Sequence, residues 1–225
     1  MIPLRDANPS HRTPYITIGL IVTNILIFLY ELSFQNDQQL VAFFYRWGVV
    51  PAELMQGHPV ELINIVTSMF LHGGWSHLLG NMLYLWIFGD NIEDRLGHGR
   101  FLIFYLLGGF VAIGAQVITD TNSMVPLIGA SGAIAAVLGA YLVEFPRARV
   151  LTLIGYFTMH VPAILVLGFW FVLQFFQGFA SLGATDMVDG GVAFFAHIGG
   201  FVAGLIFIRL FQIGIKREQV DWLGM

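Results

Sequence analysis

The 225-residue chain contains no cysteine. That excludes disulfides, thiolate metal sites and cysteine nucleophiles together, and it leaves the redox compartment unread. Charge is also scarce. Asp, Glu, Lys and Arg make up 11% of the residues, under half of the roughly 25% usual in soluble domains. The formal net charge of −4 carries no basic footprint for nucleic acid, so no nucleic-acid partner is expected. No His-Glu-x-x-His motif is present for a catalytic zinc, and Ile87-Phe88-Gly89-Asp90 lacks the first glycine of the Gly-x-Gly-Asp aspartyl pattern. No internal repeat of the transporter kind and no long linker divides the chain. No C-terminal lipidation signal is visible.

What is abundant is apolar sequence: 57% of the residues are hydrophobic, and the mean hydropathy is +0.77. This composition fits a multi-span membrane protein. The expected fold is an all-α polytopic bundle of six transmembrane helices, in one domain covering residues 1–225. A short polar N-terminal segment, 1–13, precedes a core over about 14–211, and a tail follows over 212–225. The spans are read at about 14–32, 74–89, 101–119, 129–143, 161–180 and 192–208. The first has no small-residue cleavage site after it and is expected to be retained. The forty residues after it carry Phe43, Phe44, Tyr45 and Trp47 around Arg46, as expected of a connection lying at the membrane interface. Residues 150–160 are uncharged and are expected to be interfacial as well.

Six spans place both termini on one side, together with the second-to-third and fourth-to-fifth connections. That side collects Arg5, Arg12, Arg95, Arg100, Arg147, Arg149, Arg209, Lys216 and Arg217, nine of the ten basic residues. The positive-inside rule then makes both termini cytoplasmic. The expected location is a multi-pass protein of a prokaryotic cytoplasmic (inner) membrane.

Polar residues inside the spans carry the functional signal. In the fourth span, Gly129-Ala130-Ser131-Gly132 sets a serine between glycines at a helix start, where free N–H groups and a positive dipole end can stabilise an anion. The alternative is a packing face of small residues. Counting about 1.5 Å per residue from the cytoplasmic ends puts His77, Ser131 and His197 roughly 18–20 Å up their helices. The hydrocarbon core is about 30 Å thick, so the three share one layer.

Ala135 and Gly139 continue the serine's own face, and Gly200 and Gly204 follow His197 as a Gly-x-x-x-Gly stripe. Two such stripes let backbones approach closely. His77 and Asn81, four apart, project from one helix face. These are the parts for acyl transfer. Ser131 is the nucleophile, His197 its general base, and the Gly129–Ser131 backbone with Asn81 and His77 the oxyanion stabilisers. No acidic residue lies at this depth, so a dyad is expected without a third member. Singly, His197 also reads as a proton-relay or structural residue, and His77 with Asn81 as helix-bridging polar groups. His72 reads as a connection residue outside the second span. Asp186 and Asp189 read as solvated residues of an outer connection.

Trp75-Ser76-His77-Leu78-Leu79-Gly80-Asn81, Gly129-Ala130-Ser131-Gly132 and Ala196-His197-Ile198-Gly199-Gly200 with Gly204 resemble, in order, the motifs of rhomboid intramembrane serine proteases. Tyr45-Arg46-Trp47-Gly48 and Glu93-Asp94-Arg95-Leu96-Gly97 are similar to further segments of that family. The resemblance covers about residues 13–211. It implies a cofactor-free, metal-free serine endopeptidase with a Ser131–His197 dyad. The substrates it implies are transmembrane segments of other proteins in the lipid bilayer, cut near the outer face. Small residues are favoured before the scissile bond and helix-weakening residues after it. It also implies a lid over 181–191. One departure stands out. Some members place an aromatic residue one turn after the serine, stacked on the histidine, and here that position is Ala135. The rival readings are a catalytically dead client-binding relative and a proton-coupled transporter. Intact Ser131 and His197 oppose the first, and the lack of internal symmetry opposes the second.

Overall fold

The computed structural model describes residues 1–181 and 193–214. In chain order the elements are β1 (Ile2–Asp6), α1 (Tyr15–Glu31), α2 (Asp37–Trp47), α3 (Pro51–Met55) and α4 (Val60–Thr67). There follow a 3₁₀ turn (Ser68–Phe70), α5 (Trp75–Leu96), α6 (His98–Thr119), α7 (Ser131–Glu144), β2 (Arg149–Ile154), β3 (Phe157–Pro162), α8 (Ala163–Ser181) and α9 (Phe194–Phe211). Three helices, α6, α8 and α9, are long and apolar enough to cross a membrane. α5 matches them in length but carries Asp90, Glu93, Asp94 and Arg95 in its last two turns. It therefore runs past Gly89, where the sequence pattern ends it.

The bundle is organised around α7. Residues 132–141 are buried without a break, so α7 has no solvent or lipid face. Six of those ten are Gly or Ala, which lets neighbours come in to backbone distance. A Cβ on Gly200 or Gly204 of α9 would run into the carbonyl oxygens of Gly132 and Ala136. A Cβ on Gly139 would meet the Phe201 carbonyl in the same way. On the other flank, a Cβ on Gly132 would lie 2.6 Å from the Ala112 methyl of α6. Without water between apolar helices, such close dispersion contact is what holds them together.

Around this centre the usual polarity is reversed. The buried stripe of α1 is Thr17, Leu20, Asn24, Phe28 and Glu31, while Ile18, Val22, Leu26 and Leu29 are exposed. α8 likewise exposes Leu165, Phe169, Val172 and Phe176. Extended apolar outer faces of this kind suit hydrocarbon, and the interior polar groups must then be satisfied within the protein. Glu93 shows how. It is 1% exposed and accepts from the Ile16 amide (2.9 Å), the Thr17 amide (2.8 Å) and the Thr17 hydroxyl (2.7 Å). A carboxylate from α5 thus caps the start of α1, where Pro14 offers no capping side chain, and it suits the positive end of that helix.

At the same end, Gly97 (φ +76°) turns the chain directly from α5 into α6. The Arg100 guanidinium donates to the Phe211 and Ile213 carbonyls (2.8 and 3.1 Å), closing α9. Arg95 and Arg209 pair with Glu144 at 3.5 and 3.3 Å.

The all-α expectation is corrected by a three-stranded antiparallel sheet in the order β1-β2-β3. Residues 150–160 form the β2–β3 hairpin, with Ile154 opposite Phe157 across a Gly-Tyr turn. The polar N-terminal segment supplies β1, with Asp6 opposite Val150. The Tyr141 hydroxyl of α7 donates to Asp6 (2.7 Å) and fastens the sheet to the bundle. The first connection folds into α2, α3 and α4. The expected lid at 181–191 lies outside the described residues apart from Ser181, as does the tail beyond 214, and Asp186 and Asp189 fall there too.

Three outcomes test this packing. Gly200→Val forces a branched side chain onto a backbone carbonyl and lowers stability by at least about 2 kcal/mol in denaturant titration. Gly19→Ala, with open space around the added methyl, is neutral or slightly stabilising. Glu93→Ala strands the buried donors at the start of α1 and costs about 3 kcal/mol by the same assay.

Candidate functional site

Three helix starts converge at the end of the bundle away from the sheet. Ser131 is the first residue of α7, and His77 and His197 lie in the first turns of α5 and α9. None of the three helices has a capping side chain at its own N-cap. In α9 the early amides of Phe195 and Ala196 are taken by Gln116 Oε1 of α6, at 3.1 and 3.2 Å. α7 and α9 run parallel from this end, a consequence of Gly132 meeting Gly200 and Ala136 meeting Gly204.

That parallel contact brings Ser131 Oγ to 2.7 Å from His197 Nε2. The other imidazole nitrogen, Nδ1, lies 2.6 Å from Gln174 Oε1 of α8. Trp170, one turn earlier on α8, lays its ring against the imidazole with centroids 5.8 Å apart and planes at 37°. Ala135 is fully buried, 3.3 Å from where a Gly200 Cβ would stand. With alanine at that position, the aromatic contact to the histidine comes from Trp170 of α8.

The serine is delivered by a clamped loop. Val49 and Leu127 exchange backbone hydrogen bonds (3.1 and 2.7 Å), the Ala52 amide donates to the Ser123 carbonyl (3.0 Å), and the Gly129 amide donates to the Ser68 carbonyl (2.8 Å). The first connection is thus the bracket for the loop that precedes Ser131. Gly129 adopts φ +121°, and a Cβ there would lie 2.6 Å from His77 Nε2. Only glycine lets the His77 ring close against this turn.

Asn81 is placed differently from His77. Its side-chain nitrogen is 3.0 Å from His72 Nε2, and His72 packs edge-on against His77 with ring centroids 5.0 Å apart. His72 is 1% exposed, so the connection residue expected from sequence is a core residue. Its backbone amide donates to the Glu31 carboxylate (3.1 and 3.3 Å), which ties the end of α1 to the start of α5.

A cavity of about 580 Å³ opens onto this cluster, lined by Ser131, His197 and His77 with Phe44, Tyr45 and Ile128 among others. Asn81 is not among its lining residues. A second cavity of about 670 Å³ lies at the far end between the sheet and α5, lined by Arg5, Asp6, Trp86, Asp90 and His160, among others. Among the described residues no cluster of His, Asp and Glu could hold a metal ion.

Gln174, Trp170, Gln116 and His72 escape the sequence reading. A signal existed for the first two. Gln174 is a polar interruption of an uncharged apolar run, one helical turn after Trp170. Nothing local marks Gln116 or His72 as neighbours of the serine.

The fold and the site together define a mostly helical membrane protein with a serine–histidine pair at the floor of a cavity. The model of the Rhomboid domain family matches residues 59–213. The chain belongs to the rhomboid family, which includes proteases. It is 34% identical to the rhomboid protease GluP of Bacillus subtilis over 84% of this chain and 33% of that protein. It is 28% identical to the mitochondrial rhomboid protein 1 of Saccharomyces cerevisiae over 74% of this chain and 46% of that one. To RHOMBOID-like protein 1 of Arabidopsis thaliana it is 26% identical over 89% and 54%. The chain thus spans between a third and about half of the length of these relatives. They come from a bacterium, a yeast and a plant, so they do not single out the prokaryotic inner membrane expected from sequence.

Gly129→Ala places a methyl against the His77 ring in a left-handed backbone conformation. It lowers unfolding stability by more than about 1 kcal/mol, read by thermal or denaturant unfolding in detergent.

Proposed function

We propose that the chain is an intramembrane serine endopeptidase that hydrolyses peptide bonds in or near transmembrane segments of other membrane proteins. The observation that carries this reading is the 2.7 Å approach of Ser131 Oγ to His197 Nε2 at a cavity lined by both residues. His197 Nε2 takes the hydroxyl proton as Ser131 Oγ attacks the scissile carbonyl carbon. The negative charge on the carbonyl oxygen is met by the amides at the start of α7 with His77 beside them. Gly129 and Asn81 are assigned to shaping that oxyanion pocket, since the Gly129 amide is held by the Ser68 carbonyl and the Asn81 side-chain nitrogen by His72. Collapse of the tetrahedral species breaks the C–N bond. His197 returns the proton to the leaving amine, and an acyl-serine ester remains. Water from the cavity then attacks the ester, losing a proton to His197; the bond to Oγ breaks, the carboxylic acid leaves, and His197 returns the proton to Ser131 Oγ. The chemistry needs no cofactor.

The six long helices α1, α5, α6, α7, α8 and α9 are assigned as six spans of one membrane domain, with both termini cytoplasmic. The distribution of Arg and Lys supports that orientation. α7 has only 14 residues, about 21 Å of helix, against a hydrocarbon core of about 30 Å. Its short length fits a helix that begins at the serine, below the outer surface, with the clamped loop above it. Water reaches the serine through the cavity between that loop and α2. Gly73 and Gly74 line its rim with Val41, Phe44 and Tyr45, a surface suited to the unwound end of a substrate helix.

The test is cleavage of a transmembrane reporter in liposomes. Ser131→Ala and His197→Ala each reduce turnover by more than about 10⁴-fold while the protein remains folded. A native chain that cleaves no substrate in a broad panel, and whose Ser131 fails to react with a fluorophosphonate, refutes the protease reading and favours the client-binding one.

A further inference from the structure

We infer that Gln174 is a positioning residue for His197, selecting the tautomer in which the imidazole can act as a base. The inference rests on the protease reading for its kinetic consequence, but the geometry behind it does not. A neutral imidazole has one N–H and one lone pair, and the hydrogen bond made by one nitrogen decides what the other offers. Gln174 presents an amide oxygen 2.6 Å from Nδ1. An oxygen only accepts, so the N–H sits on Nδ1. The lone pair is left on Nε2, 2.7 Å from Ser131 Oγ. The opposite tautomer would set two lone pairs against each other at Nδ1 and turn an N–H towards the serine, which cannot take up its proton.

The surroundings of the ring support this assignment. Trp170 and Gln174 are four residues apart on α8 and so share one helix face. One lies against the imidazole ring (centroids 5.8 Å apart) and the other holds its edge. The base is therefore positioned by α8, whereas the serine is positioned by the loop before α7. Among the described residues no carboxylate is paired with His197. Gln174 stands where a serine–histidine–carboxylate triad has its acid, but it orients the ring without adding a charge. The imidazolium that forms when Ser131 gives up its proton is then stabilised by a dipole and not by a full negative charge. Charge and orientation, supplied together by an acid, are separated in this site.

Two variants test the assignment. Gln174→Met keeps the volume and removes the acceptor. Gln174→Glu keeps an acceptor and adds the charge. The first readout is the nitrogen-15 spectrum of histidine-labelled full-length protein in micelles, with His197 assigned by its loss in His197→Gln. The native chain shows protonated Nδ1 and unprotonated Nε2, and Gln174→Met loses that preference. The second is the pH profile of reporter cleavage. Gln174→Met lowers kcat about 10- to 100-fold with KM unchanged. Gln174→Glu restores cleavage at alkaline pH, and its acid limb moves upward by at least about one pH unit, because a carboxylate beside His197 favours the protonated ring.

A purely structural role predicts neither the selective rescue by Glu nor the displaced limb. A native spectrum with the proton on Nε2 overturns the inference, as does Gln174→Met with unchanged tautomer and kcat. Should Gln174→Met fail to fold, Gln174→Glu alone decides: an unshifted acid limb or an unchanged His197 spectrum overturns the inference. A native chain that shows the Nδ1–H tautomer but neither cleaves nor reacts with a fluorophosphonate leaves the positioning geometry intact and refutes the protease reading instead.

Discussion

The contact between α7 and α9 is the constraint on which the rest of the molecule depends. Two helices meet backbone to backbone because Gly200 and Gly204 present no side chain to the carbonyl oxygens of Gly132 and Ala136. In hydrocarbon there is no hydrophobic gain from joining apolar helices, so attraction must come from atoms packed at close range. Small residues supply it by removing what would stand in the way. Because the two helices run parallel, the contact also aligns their starts. A serine at the first position of one and a histidine in the first turn of the other are thereby brought to 2.7 Å. The site is the upper end of a packing solution.

Three separate parts of the chain then converge on that pair. The first connection clamps the loop before the serine through Val49, Ala52 and Ser68. α5 sets His77 against the glycine of that loop, and α8 holds the far nitrogen of the imidazole through Gln174. The hydrogen bonds of the first connection and of Gln174 pair polar groups that could not be left unpaired in a low-dielectric interior. Structural need and chemical need are met by the same bonds.

The opposite end has a different task. There Glu93, Glu144, Arg100 and Asp6 bind helix ends to each other and to a small sheet. It lies about 20 Å from the serine, as α7 is 14 residues long. Paired arginines and carboxylates are concentrated at this end, whereas the described contacts of His197 beyond the serine are with the Gln174 amide and the Trp170 ring.

Sequence periodicity and composition determined the apolar helices, because burial in lipid imposes length and hydropathy on each helix locally. Motif spacing marked Ser131, His77 and His197 at one depth, since helical rise converts residue number directly into height. The glycine stripes were legible for the same reason. What only the tertiary structure decided depends on partners distant in the chain. The β1 strand pairs with β2 more than 140 residues later, and the alternation of short strands at a polar border gives no local sign of that partner. Asn81 finds His72 across a helix start, and neither residue type marks the other. The support of His197 by Gln174 and Trp170 is a property of how α8 is rotated against α9. No pattern within either helix specifies that rotation, because it is set by the sum of contacts between them.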